Sequence, residues 1–214
     1  MTGVFGECVL FGHNLEIPDA MQLRNDETRY GLIAQILHWG VFLLFVGQLA
    51  FALLMLNLPI SDLKWTFYDL HKAFGISVFF VVLFRIFWRL SNARPKFPAG
   101  LPAWQRRAAK ASHMTLYACM LVMPVSGYIG SKAGGFKASW FGVVELPDLF
   151  GKSETINFWA EAVHTATAYF LLALITFHGA AALRHHYRLG DEVLARMWPP
   201  AGRRRRQEAG DAAL

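Results

Sequence analysis

The chain has 214 residues, 55% of them hydrophobic and 17% charged, with a net charge of +6 and a mean hydropathy of +0.32. Soluble domains carry about 25% charged residues, so these figures exclude disordered, collagen-like and ordinary aqueous folds, and two cysteines, Cys8 and Cys119, exclude a disulfide framework. The basic residues sit beside apolar runs, where they read as membrane topology signals, and no nucleic-acid partner is expected.

Among the charged residues of 1–27 the acidic ones dominate, and the segment has no signal-peptide pattern. It is expected to form a cytoplasmic tail; Met21 is an alternative start, and His13 is given no role. Residues 31–56, 111–130 and 162–183 contain no charge, and each is long enough for a hydrocarbon core that needs about 20 residues. A fourth span is read from Asp69 to Leu90, where Lys72 and Arg85 flank an apolar stretch and can snorkel to the interface. The prediction is an all-α, integral membrane four-helix bundle over residues 28–190, with a basic cytoplasmic tail over 191–214.

Residues 85–111 hold seven basic residues and no acid, and Arg203–Arg206 add a basic run near the C-terminus. The 57–70 and 131–161 connections are close to neutral. The positive-inside rule then puts the second connection and both termini in the cytoplasm of a multi-pass protein of the bacterial inner membrane.

Four histidines lie at telling depths: His38, His71, His164 and His178. Ionisable groups in hydrocarbon are functional candidates. His164 and His178 are 14 residues apart, which is about 21 Å of helix and nearly four turns, so both leave the same face. Span direction makes His178 inner and His164 outer. His38 lies at the inner level of the first span and His71 at the outer end of the second. The pairs are His38 with His178 and His71 with His164. Two imidazoles facing each other suit the axial positions of a haem iron. Zinc is the competing reading, but it takes four ligands and no cysteine or carboxylate set is evident in the spans. Without CxxCH, a haem here is b-type. Gly40, Gly47, Gly75 and Gly179 suit close approach of a flat ring, or ordinary small-residue helix packing.

RYGLIAQILHW, DLHKAFGISVFFVVLFRIFWRL, HMTLYACMLVMPVSGYIG, the span with His164 and His178, and HHYRLGDEVLARMWP follow one another over about residues 28–200. In this the chain resembles the bacterial cytochrome b561 family. The resemblance implies two haem b groups with His38, His71, His164 and His178 as iron ligands, and electron exchange with the quinone pool, ubiquinone being the substrate. It also implies a superoxide oxidase-like activity, in which an outer-side donor, superoxide or another small anionic reductant, passes electrons to quinone. The alternative is a non-catalytic subunit relaying electrons to or from a dehydrogenase or soluble cytochrome.

Further residues have both functional and plain readings. His113, at the start of the third span, and His185 are quinone candidates, or else anchor helix ends at the headgroups. Lys72 and Arg85 are candidates for haem propionates, with snorkelling as the default for Arg85.

Overall fold

The computed structural model describes residues 22–97, 100–149 and 151–198. Cys8, His13, Met21 and the Arg203–Arg206 run lie outside the described residues. Four helices dominate: α1 (Leu32–Asn57), α2 (Asp62–Leu90), α3 (Ala103–Ala133) and α4 (Glu154–Arg184). A two-stranded antiparallel hairpin, β1 (Ser139–Trp140) and β2 (Val144–Glu145), lies between α3 and α4. After α4 come a π-helical turn, His185–Leu189, and a 3-10 turn, Ala195–Met197. This is the helical membrane bundle that the apolar spans predicted.

Helix ends follow local chemistry. The Ser61 hydroxyl accepts from the Lys64 N–H at the start of α2, and Ser153 does the same for Ile156 at the start of α4. Asp62 and Glu154 follow these caps, where the helix dipole favours a negative charge. The helices run 26 to 31 residues, about 39–47 Å, against a hydrocarbon core of about 30 Å. α2 and α3 therefore start earlier than the apolar spans: α2 at Asp62, and α3 at Ala103, running through Arg106, Arg107 and Lys110. Hydropathy marks the hydrocarbon layer, whereas a helix continues into the headgroup zone where charged side chains are solvated.

The side chains pointing outward are the large apolar ones. Leu43, Phe80, Phe87 and Phe177 are 60–74% exposed, whereas the buried set is small and includes Ala73, Val82, Ala160 and Leu171. Lipid, not water, is the solvent such a surface requires. α1 packs along α2, α2 along α3 and α3 along α4, while α1 and α2 make no extended backbone contact with α4. The bundle is thus open on the side where α4 faces α1 and α2.

The two ends differ. At the hairpin end, Phe141 and Gly142 both have positive φ, the primed turn that a two-stranded ribbon favours. The hairpin lies over α2, with Trp140 Nε1–H donating to Ser77 Oγ at 3.0 Å. At the opposite end, both described termini fold back onto the helices. The Lys96 N–H donates to the Glu27 carbonyl at 2.8 Å and the two side chains form an ion pair. Trp39 Nε1–H donates to the Met197 carbonyl at 2.8 Å, Gln35 reaches the Arg196 carbonyl, and Arg196 reaches the Lys96 carbonyl. Residues 191–198, grouped with the tail from sequence, therefore include a strap packed on α1. Polar donors on α1 hold it, and no apolar periodicity announces it.

Candidate functional site

α4 carries His178 six residues before its end, and α1 carries His38 six residues after its start. Antiparallel helices of this length put those positions at one depth. Their ring centres are 6.2 Å apart. At the hairpin end, His71 of α2 and His164 of α4 stand at the same separation, 6.2 Å. The structure thus brings together both pairs expected from the 14-residue spacing, across the gap where the helix backbones stand apart.

Whether these residues fit a haem iron can be tested on that separation. A metal-bound imidazole nitrogen lies about 2 Å from the ion, and about 1 Å from its own ring centre. Two imidazoles sharing one ion on opposite sides therefore have ring centres about 6 Å apart, which both pairs match. Within each pair the rings are steeply inclined to each other, by 65° and 73°. No group of three or more His, Cys, Asp or Glu side chains able to hold a metal ion occurs among the described residues. Two donors per site suit a metal whose other ligands come from a macrocycle.

The hairpin-end pair has a prepared second layer. His164 Nδ1 lies 2.9 Å from the Met123 carbonyl, so it is the nitrogen that carries the proton and donates. This leaves Nε2 with its lone pair free to ligate. Ser126 Oγ is 3.4 Å from the same Nδ1. His71 Nδ1 is buried with no hydrogen-bond partner, and Gln48 Nε2–H donates to the His71 carbonyl at 3.0 Å. A cavity of about 120 Å³ runs beside the pair, lined by Phe45, Gly75, Met120 and Gly127 among others. A Cβ at Gly127 would meet the His164 ring at 3.0 Å, and one at Gly75 would meet Gln48 at 3.2 Å. A Cβ at Gly40, Gly47 or Gly179 would meet nothing within 4 Å. Beside this pair, close protein neighbours thus stand at Gly75 and at Gly127, the latter not singled out from the sequence. Lys72 sits at the rim, held by Asp69 at 2.8 Å and by the Lys137 carbonyl at 2.9 Å.

The other pair sits among cations and a third ring. His113 is 5.3 Å from His178, centre to centre. The sequence put it at the mouth of a span without a partner; because α3 starts at Ala103, it lies nearly three turns inside. Arg85 does not snorkel. It turns inward, with Nη2 2.8 Å from His38 Nδ1, Nε–H donating to Tyr117 Oη at 3.1 Å and Nη1–H reaching the Leu37 carbonyl. Arg donates and never accepts, so this contact leaves the His38 proton on Nε2. Ligation through Nε2 requires Arg85 to release Nδ1, which frees its guanidinium for a carboxylate.

His185 lies past the helical part of α4. The π turn and the left-handed Gly190 bring Asp191 back, and Asp191 Oδ2 lies 2.5 Å from His185 Nδ1. Asp191 Oδ1 accepts from the Val193 N–H. The carboxylate partner was not foreseen, because a regular helix through residue 185 would have set the two apart.

The model for the prokaryotic cytochrome b561 family matches residues 29–200. Cytochrome b561 homolog 2 of Escherichia coli is 31% identical over 179 residues, covering 83% of this chain and 95% of that protein. Cytochrome b561 homolog 1 of the same organism is 31% identical over 131 residues, covering 61% and 74%. Probable superoxide oxidase CybB of Yersinia pestis is 28% identical over 179 residues, covering 80% and 96%.

Proposed function

The chain belongs to the prokaryotic cytochrome b561 family, and on that premise we propose that it carries single electrons between a donor on one membrane face and the quinone pool, using two haem b groups. The family supplies the coarser part: a bacterial membrane cytochrome that binds haem b and transfers electrons. The observation that carries the finer reading is the recurrence of one ring separation, 6.2 Å, at two depths along α4. His38 and His178 would hold one haem, and His71 and His164 the other. Bound there, the group would supply one-electron redox chemistry.

The chain's own residues divide the remaining work. The Met123 carbonyl fixes the tautomer and orientation of His164. Arg85 and Lys72 are the candidates for propionate carboxylates, one at each end. Quinone reduction also consumes protons, and the end with His113 and the His185–Asp191 couple offers groups that hold them. The hairpin end offers no further histidine among the described residues. We place quinone at the former end and the donor, superoxide or another small anion, at the hairpin end, where Lys132 and Lys137 share Glu145 and the connections are close to neutral. By the charge asymmetry of the connections, the quinone end and both termini face the cytoplasm.

The test is turnover by the purified protein alone. Given superoxide and a soluble ubiquinone analogue, it is expected to reduce the quinone. Full haem content with no turnover would favour the second reading, a relay subunit that needs a redox partner. A C-terminal reporter active only outside the cytoplasm would overturn the orientation.

A further inference from the structure

A second cavity, about 30 Å³, lies at the end carrying the termini. Its walls include Asn25 and Tyr30 ahead of α1, Arg85, Trp88 and Arg89 on the last turns of α2, Arg94 just beyond, Tyr117 on α3 and Met197 of the strap. Three guanidiniums meet there and no lining residue is a carboxylate. The nearby acids are engaged elsewhere: Asp26 with Thr28 and Arg29, Glu27 with Lys96, Asp191 with His185, and Glu192 with Arg196. Arg89 lies over the Tyr117 ring, 5.5 Å from its centre. Neither Arg89 nor Arg94 has a hydrogen bond or ion pair among the described residues. Trp88, on the same wall, has a buried indole N–H with no acceptor.

Such a cluster has too much positive charge and too many donors for the protein to satisfy alone. Arg85 and Arg89 are only partly exposed, where like charges repel, and a buried unpaired N–H such as that of Trp88 is costly. One small anion relieves both. The volume limits how much of it is enclosed: a water-sized group needs about 10–15 Å³, so the cavity takes about two such groups, as two oxygens of a phosphate would be. The level limits where it comes from, since the last turns of a membrane-spanning helix lie among lipid headgroups.

We propose that Arg89, Arg94 and Trp88 form a binding site for a phosphate-bearing anion, occupied by the headgroup phosphate of an anionic phospholipid. Basic pockets between spanning helices bind such headgroups. Arg85 closes the site from the histidine side, so the lipid would sit one guanidinium away from His38.

The test uses the full chain, haem-loaded, stripped of lipid in detergent and titrated with phosphatidylglycerol or with phosphatidylcholine. Binding is read by native mass spectrometry and haem content is measured on the same samples. One phosphatidylglycerol is expected to bind about tenfold tighter than phosphatidylcholine. Arg94→Gln with Trp88→Phe should abolish that preference and keep the wild-type haem content. Arg94→Gln alone, at an exposed position, should weaken it and carries the test where the double variant does not fold. Equal affinity for the two lipids, or an unchanged preference in the variants, overturns the proposal. Displacement of the lipid by millimolar inorganic phosphate overturns the lipid source. Haem loss in a folded variant whose lipid preference persists assigns the arginines to haem carboxylates and overturns it as well.

Discussion

The two ends of the bundle share a histidine separation and little else. At the hairpin end, two rings stand beside a 120 Å³ cavity, and a backbone carbonyl orients one of them. At the other end, three rings form a chain, an arginine caps one of them, and a strap from the C-terminal segment closes the level above. The ring separation is the quantity that does not vary between ends, as the proposed shared ligand would require. The surroundings vary, so they set what differs: a neutral, hydrogen-bonded environment against a cationic one with spare titratable groups.

The strongest way to break the comparison is to remove one ring. His164→Ala and His71→Ala should each cost the hairpin-end haem, and His178→Ala and His38→Ala the other, so that a pyridine haemochrome assay reads one haem per chain where the wild type reads two. Loss of both from His38→Ala, or identical redox titrations for His38→Ala and His71→Ala, would contradict the pairing. A milder perturbation touches one end through its backbone. Gly127→Leu should crowd the His164 ring and lower hairpin-end haem affinity at least about fivefold, overpacking costing on the order of 1–3 kcal/mol, while the other haem persists. A uniform loss of both would show that the ends are not independent.

Next comes the chemistry that separates the ends. His113→Ala with His185→Ala should leave both haems in place and slow haem reoxidation by a soluble quinone at least about tenfold, as loss of a general acid does. Unchanged reoxidation would move the quinone to the hairpin end. The smallest effect is expected from Trp39→Phe, which removes the hydrogen bond to the Met197 carbonyl. It should cost about 1 kcal/mol, seen as faster proteolysis within residues 191–198 with spectra unaltered. A matching change in cleavage of the 134–153 connection would mean that the strap supports the whole bundle and not its own end.

The histidine geometry was legible because it depends on quantities that sequence carries directly. Fourteen residues on one helix give a face and a length, and charge asymmetry gives a direction for each span. What escaped depended on where helices end and on what lies across from them. His113 looked isolated because hydropathy starts its span at 111, whereas the helix starts at Ala103. Asp191 looked like a tail residue because a π turn cannot be told from a regular one in HHYRLGD. Arg85 was given the ordinary fate of an arginine near an interface. Its inward course depends on Tyr117 and on the Leu37 carbonyl, both distant in sequence.

Both pairs draw one member from α4, and this has a mechanical consequence. A continuous helix is stiff along its axis, whereas the contacts between neighbouring helices are soft. Thinning of the bilayer, a change in tilt or breathing of α1 and α2 can open or tighten either pair, but the two α4 rings stay at the spacing that the helical rise sets, about 21 Å. Because tunnelling falls off steeply with distance, two carriers held as proposed would have the length of the hop between them fixed by a single strut. The passage between them would then be insensitive to membrane composition, and regulation by lipid or partner would act at the entry and exit points, where the geometry is free to move.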